Sequence, residues 1–312
     1  MSPDGETLGE RVVVLVGPTA SGKTALSIAL ARRLDGEIVN TDSVLTYRDM
    51  NIGSAKPTLE ERLGVPHHLV DVWGVEHDAT VAEFQGLARA AIADIQARGK
   101  TPILVGGSAL YVRAVIDPLD FPGTDPRVRA KWQARGEEIG PEALHAELAV
   151  LDPVAAAQIL PTNARRVVRA LEVIEMTGEP FKASLPAYES IYPDLVMLGL
   201  EVDRAVLDAR IVQRVEDMWA ARFVDEVRHV HGLAGSPTAS RAIGYQQVLA
   251  FLAGLLSEAE AKEETVAGTR RLARRQERML HKDPRITWFA HDDDDLLDKA
   301  LKATRRYRDT VG

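Results

Sequence analysis

The sequence predicts an α/β fold: a mostly parallel sheet with helices on both faces, and an all-helical domain inserted into it. Three observations predict it. Short apolar runs at 12–16, 37–40 and 103–105 alternate with helix-like stretches, the order of a β-α-β chain. The first run feeds Gly17-Pro18-Thr19-Ala20-Ser21-Gly22-Lys23-Thr24, a complete G-x-x-x-x-G-K-[ST] motif in the strand–loop–helix setting that it requires. From about Asp117 to Tyr192 strand-like runs vanish, and proline, alanine, arginine and glutamate take over.

The elements follow in order. Val12 to Val16 is the first strand, apolar throughout as a strand buried on both faces should be. Residues 23–34 form the first helix. Glu37 to Asn40 is a second short strand ending at Asp42-Ser43, and Leu69 to Val72 a third. Residues 80–98 read as an amphipathic helix with Phe84, Leu87, Ala91 and Ile95 at helical spacing. Ile103 to Val105 is a fourth strand, closed by Gly106-Gly107. The Pro-bounded helical insertion occupies 117–194, and Leu195 to Val202 re-enters the sheet. Helices at 204–233, 240–253 and 258–281 and a last short strand at Ile286 to Phe289 complete a core made of 1–116 and 195–312.

The phosphate-loop motif carries the strongest chemical signal. Gly17 and Gly22 let the backbone approach an anion with no Cβ in the way. Successive N–H groups form an anion nest, and the helix that follows adds its N-terminal donors and dipole. Lys23 supplies a mobile charge, and the Thr24 hydroxyl is the expected Mg2+ ligand. A nucleoside triphosphate and a diphosphate fit such a nest equally well. Motor-type nucleotidases pair the loop with an acidic residue at a strand end. Here Ile103-Leu104-Val105 runs into Gly106-Gly107-Ser108, which favours small-molecule group transfer over mechanochemical hydrolysis. Asp42, at the edge where α/β sites lie, is either a base for an acceptor nucleophile or an N-cap for the next segment.

The chain of 312 residues carries a net charge of −8 and no cysteine, so disulfides and Cys-based zinc sites are excluded. Residues 1–11 lack the pattern of a signal peptide. The longest apolar stretch, Val248 to Leu256, is too short to span a bilayer, so a cytoplasmic protein is expected. The total charge disfavours a polyanionic partner, but its distribution does not. Arg270, Arg271, Arg274, Arg275, Arg278, Lys282 and Arg285 face only Glu277 and Asp283, and Arg165, Arg166 and Arg169 form a second cluster. Each cluster is either a docking face for a polyanion or a solvated helix face. The run Asp292 to Asp295 reads as a solvated loop.

With Asp42-Ser43-Val44-Leu45-Thr46-Tyr47 added to the loop, the chain resembles the tRNA dimethylallyltransferase (tRNA isopentenyltransferase) family. The likeness continues through Met50 to Pro57, Pro66 to Asp71, Gly106 to Tyr111, Arg165 to Glu172, Ala242 to Tyr245 and Thr269 to Gln276, in the family's order. The resemblance implies a P-loop NTPase-like core, an insertion that contacts tRNA, and C-terminal tRNA-binding helices. It implies transfer of a dimethylallyl group from dimethylallyl diphosphate to N6 of the adenosine 3′ of the tRNA anticodon, with release of diphosphate, Mg2+ as cofactor and a monomer as the acting form. ATP is not consumed.

Residue by residue, the resemblance places the diphosphate on Gly17, Pro18, Thr19, Ala20, Ser21, Gly22, Lys23 and Thr24, with Mg2+ at Thr24. Asp42 takes the family's general-base position. Ser43, Val44 and Leu45 face the extruded base. Ser108 stands near the reacting centre where the family has threonine, and Arg228 aligns with an arginine associated with the diphosphate; without the resemblance, Arg228 reads as a solvent-facing helical arginine. Arg129, Arg165, Arg166, Arg169, Arg241, Gly244, Tyr245, Gln246, Arg274, Arg275, Gln276, Arg278 and His281 fall in tRNA-contact stretches. Leu45-Thr46, Ser108 and Met279 depart from the family pattern without removing a charged group. Three rival readings share the loop. They are a small-molecule kinase, which would transfer a γ-phosphate, a transferase acting on free adenine nucleotides, which would need no tRNA, and an RNA-binding regulator with a vestigial loop.

Overall fold

The computed structural model describes residues 11–181 and 187–306. The chain divides into two compact units, Met1–Pro118 with Ser190–Gly312, and Leu119–Glu189. The first half of the larger unit runs β1 (Val12–Val16), α1 (Lys23–Arg33), β2 (Gly36–Asn40), β3 (His67–His68), α2 (Val81–Ala97), β4 (Thr101–Gly106) and α3 (Ala109–Ile116). The smaller unit holds α4 (Pro126–Ile139), α5 (Pro141–Leu151), α6 (Pro153–Gln158) and α7 (Ala164–Thr177). The larger unit resumes with β5 (Leu195–Glu201), α8 (Arg204–Ala220), α9 (Phe223–His229), α10 (Tyr245–Leu252), α11 (Glu258–Leu280), β6 (Ile286–Ala290) and α12 (Leu296–Arg306).

The six strands form one sheet in the order β3-β2-β4-β1-β5-β6, and every pairing is parallel. Alternate side chains of β1 serve opposite layers. Val12, Val14 and Val16 pack with Phe84, Ala88, Ile92 and Ile95 of α2 and with Val112, Val115 and Ile116 of α3. Val13 and Leu15 pack with Leu26, Ile28, Leu30 and Ala31 of α1 and with Ala300 and Leu301 of α12. Burial on both faces explains why β1 is apolar throughout. A third apolar cluster joins Tyr47 and Met50 to Phe223, Val227, Tyr245 and Val248 of α9 and α10.

Several elements differ from the sequence reading. The third strand is His67–His68, and Leu69 to Val72 leaves the sheet. Leu69 and Asp71 are left-handed, with φ of 61° and 58°. The segment bonds to the chain after β2 instead: the Asp71 and Val72 N–H groups donate to Leu45 and Thr46, and Arg48 donates to the Asp71 and Val72 carbonyls. The inward stripe of α2 is Phe84, Ala88, Ile92 and Ile95, while Leu87 is exposed. The helix expected over 204–233 breaks at Arg222, which is left-handed at φ 69° and lets α9 start on a new axis. The segment expected as 240–253 becomes helical only at Tyr245, after Gly244 at φ 90°. The sequence reading assigned no element to α12, whose Ala300 and Leu301 cover the sheet. The acidic run before it supplies Asp293, which pairs with Lys299.

The helical unit has its own core of Leu144, Leu148, Ala155, Ala156, Ile159, Val167, Val168, Ala170 and Leu171. Its prolines start helices rather than break them. Pro126, Pro141 and Pro153 each occupy the first turn of α4, α5 or α6, where a missing N–H costs nothing. Asp125, Asp152 and Asn163 cap α4, α6 and α7 with their side chains.

Candidate active site

Strand register brings the site together. Val16 of β1 lies opposite Gly106 of β4, and Asn40 of β2 lies opposite Val105. The residues just beyond these pairs, the loop from Gly17, Asp42 and Gly107, therefore emerge at one edge, the carboxyl ends of the strands, where α/β folds bind ligands. A cavity of about 450 Å³ opens there. Thr19 to Thr24, Asp42, Leu45, Val105, Gly106 and Gly107 line it, with Ser54, Ala55, Arg210, Arg214 and Gln276.

The loop is tightly drawn. A Cβ on Gly17 would stand 3.0 Å from Ser21 Oγ and 3.1 Å from the Leu200 carbonyl. Gly22 has open space around it, but its φ of 95° suits glycine as α1 begins. The Lys23 ammonium donates to the Pro18 carbonyl at 2.6 Å. Desolvation pulls its pKa down to about 7, with Asp42 opposing the shift and Arg214 adding to it. The Thr24 side chain lies exposed in the first turn of α1.

Asp42 does not cap a helix. Its Oδ1 accepts the Val44 N–H at 2.9 Å, closing a short turn. Asn40, almost fully buried, holds that turn from below. Its Oδ1 accepts the Asp42 N–H at 2.8 Å, and its Nδ2 donates to the carbonyls of Asp42 at 2.8 Å and Leu69 at 2.9 Å. Ser43 and Val44 follow Asp42 in the turn, and Leu45 reaches the cavity. Ser108 is the residue before α3, just past the lining glycines, and its hydroxyl makes no capping bond. Asp71, which lies beyond β3 and outside the sheet, is taken up by an ion pair with the buried Lys56.

The arginine that faces the loop is Arg214, not Arg228. Arg214 donates to Thr19 Oγ1 at 3.3 Å and to the Ser54 carbonyl at 3.4 Å. Burial holds its pKa below the usual range, with Asp42 pulling the other way; a guanidinium remains charged at neutral pH regardless. Arg228 is exposed on α9, pairs with Asp225 at 3.1 Å and does not line the cavity. The break at Arg222 accounts for the difference, because it turns α9 off the axis on which Arg210 and Arg214 lie. Sequence reasoning missed Arg210 and Arg214; they are one helical turn apart, an i,i+4 basic pair that could have pointed to them.

Other expected positions divide in the same way. Gln276 sits against the loop, where its Oε1 accepts the Thr19 N–H at 2.9 Å. Gly244 and Tyr245 are buried. The Tyr245 hydroxyl donates to Glu226 Oε1 at 2.6 Å, and burial beside that carboxylate pushes its pKa up. Glu226 in turn accepts the N–H groups of Asn51, Ile52 and Gly53 and so positions the chain leading to Ser54 and Ala55. The pair expected to meet tRNA is thus packed in the core, while Arg241 and Gln246 beside it are exposed. On α11, Arg274, Arg275 and Arg278 are exposed. His281, at its end, stacks on Trp288 with centroids 4.2 Å apart.

In the helical unit Arg165 and Arg166 are exposed. Arg129 and Arg169 instead converge on Glu172, at 3.1 and 3.0 Å. Glu172 is fully buried, and a buried carboxylate needs such partners.

A family model described as IPP transferase matches residues 45–283. The chain belongs to the IPP transferase family. A tRNA dimethylallyltransferase of Thermobifida fusca is 57% identical over 305 residues, covering 96% of this chain and 95% of its own length. One of a Nocardioides species is 56% identical over 292 residues, covering 93% and 94%. Among solved structures, the tRNA isopentenylpyrophosphate transferase of Bacillus halodurans is 40% identical, with a TM-score of 0.70 and 95% of each chain covered. A eukaryotic dimethylallyltransferase acting on tRNA is 28% identical, with a TM-score of 0.78, covering 94% of this chain and 77% of its own. The IPP transferase match spans both compact units. Among the described residues no helix is long and apolar enough to cross a membrane.

Proposed function

We propose that this chain transfers the dimethylallyl group of dimethylallyl diphosphate to N6 of the adenosine 3′ of a tRNA anticodon. The observation that carries the reading is one cavity in which the phosphate-loop motif faces both an acid, Asp42, and a half-buried guanidinium, Arg214. The loop amides, Lys23 and Arg214 hold the diphosphate. An extruded adenine enters beside Asp42 and Leu45; the anticodon loop is single-stranded, so extrusion costs only a few kcal/mol.

The adenine N6 attacks the allylic carbon, the carbon–oxygen bond to diphosphate breaks, and its electron pair leaves with the diphosphate. Asp42 accepts the N6 proton. Lys23 and Arg214 meet the charge that develops on the departing oxygen, the larger contribution in a water-poor site. The Thr24 hydroxyl is an oxygen donor that fits Mg2+, which keeps most of its water and needs few protein ligands. Thr24 would hold it together with the diphosphate oxygens, and it would neutralise the diphosphate. Among the described residues no cluster of three or more His, Cys, Asp or Glu competes for such an ion. Exposed Arg274, Arg275 and Arg278 on α11, and Arg165 and Arg166 in the helical unit, are the tRNA phosphate contacts in this reading.

The test is one incubation of protein, Mg2+, labelled dimethylallyl diphosphate and unmodified tRNA, followed by nucleoside mass spectrometry. N6-dimethylallyladenosine next to the anticodon is expected. Label incorporation into free adenine nucleotides but not into tRNA, or no incorporation at all, would overturn the reading.

A further inference from the structure

Gln276 has two functional ends, and only one of them is occupied. Its Oε1 accepts the Thr19 N–H at 2.9 Å, across 257 residues of sequence. Because an N–H can donate only to the oxygen, that bond settles which way the carboxamide faces. The NH2 group must then point the other way, and it lies over Gly107, where a Cβ would approach Nε2 to 2.5 Å. Gly107, Thr19 and Gln276 all line the cavity. Among the described residues no protein acceptor takes the two N–H bonds of that amide. Lys23 and Arg214 line the same cavity, and an anion there is the natural acceptor for those N–H bonds.

We propose that Gln276 is a positioning and binding residue for the diphosphate rather than a contact for tRNA. Its oxygen fixes the loop at Thr19, and its NH2 donates to the phosphate oxygens from the side opposite α1. This inference rests on the reading that a diphosphate occupies the loop. A Cβ on Gly107 would crowd both this amide, at 2.5 Å, and the Gly17 carbonyl, at 2.9 Å. Gln276 projects inward between the exposed Arg275 and Arg278, so one turn of α11 addresses both the diphosphate and the solvent face.

The experiment uses the full chain and inorganic pyrophosphate with Mg2+, titrated calorimetrically without tRNA, alongside tRNA binding without diphosphate. Gln276→Ala is expected to weaken pyrophosphate binding about tenfold or more, the scale of a hydrogen bond to a charged group. Gln276→Glu keeps an acceptor for Thr19 but turns the cavity side negative, so it should bind pyrophosphate more weakly still while its melting temperature stays near that of the parent. Both should raise KM for dimethylallyl diphosphate with KM for tRNA little changed. Parent-like pyrophosphate binding in both variants, or a weakening confined to tRNA affinity, would overturn the assignment to Gln276 alone. A parent protein that binds no pyrophosphate would overturn the diphosphate reading, and this inference with it.

Discussion

At the scale of single residues, position in a bonding network separates groups that composition makes equivalent. Asp42 is useful as a base only if its turn is rigid, and Asn40 makes three bonds to that turn and its neighbour. Asp42→Ala is expected to lower kcat by about 10²–10⁴-fold. Asn40→Ala should lower it less, with tRNA affinity unchanged in both; parent turnover in Asp42→Ala would remove the base assignment. Arg214→Ala should lower kcat/KM by about 10²–10³-fold. Arg228→Ala, which breaks only an exposed pair, should stay within about threefold of the parent; the reverse order in steady-state assays would restore Arg228 to the site.

Lys23 adds a pH dependence. A lysine held down to about 7 is largely neutral at pH 8 in the free protein, whereas a bound diphosphate favours the ammonium form. The lysine's contribution to binding is therefore full below pH 7 and declines above it, by up to about tenfold per pH unit. Calorimetry at pH 8 in buffers of different ionisation enthalpy should register proton uptake. Lys23→Arg, charged throughout, should abolish that uptake, which separates the lysine from the titration of pyrophosphate itself.

At the scale of elements, helix α11 carries three kinds of residue on two faces, with Gln276 in the inward stripe between Ala273 and Leu280. Ala261, Thr265, Ala273 and Leu280 are buried, Gln276 reaches the phosphate loop, and Arg274, Arg275 and Arg278 face solvent. A basic run in sequence does not distinguish a docking face from a merely solvated one. Salt dependence does. Replacing Arg274 and Arg275 together by alanine should weaken tRNA binding and flatten the slope of log affinity against log salt by about 0.7–0.9 for each phosphate that is no longer neutralised. An unchanged slope would show that the face is only solvated. Arg129 and Arg169, expected like those arginines to meet tRNA, are bound in a structural network around Glu172. Glu172→Ala leaves two guanidiniums without their carboxylate and should cost on the order of 3 kcal/mol. Glu172→Gln, which keeps an acceptor, should cost less; urea unfolding followed by circular dichroism compares them.

At the scale of the whole molecule, the sheet and the phosphate loop were legible because their signals are local. An apolar run of strand length, a glycine-rich turn and a helix with basic residues in its last turn are each written within about ten residues, and β1, α1, β2, β4 and β5 lie within two residues of where the sequence put them. Leu69 to Val72 shows the limit of that logic. Its composition is that of a strand, but bonds to Leu45 and Thr46, more than twenty residues away, draw it out of the sheet.

The sequence by itself determined the strand–loop–helix of the phosphate site, the position of Asp42 at the end of β2 and the helical character of the insertion, because hydrophobic period, glycine and proline act on the chain that immediately follows them. Only the tertiary structure decided that Arg214 rather than Arg228 faces the loop, that Gln276 belongs to the phosphate side of α11, and that Tyr245, Arg129 and Arg169 are held in internal networks. Each of these depends on which face of one element meets another, 19 to 257 residues away for the contacts of Tyr245, Arg214 and Gln276. Periodicity identifies a helix's buried stripe, but the partner that buries it is chosen by packing of the whole unit.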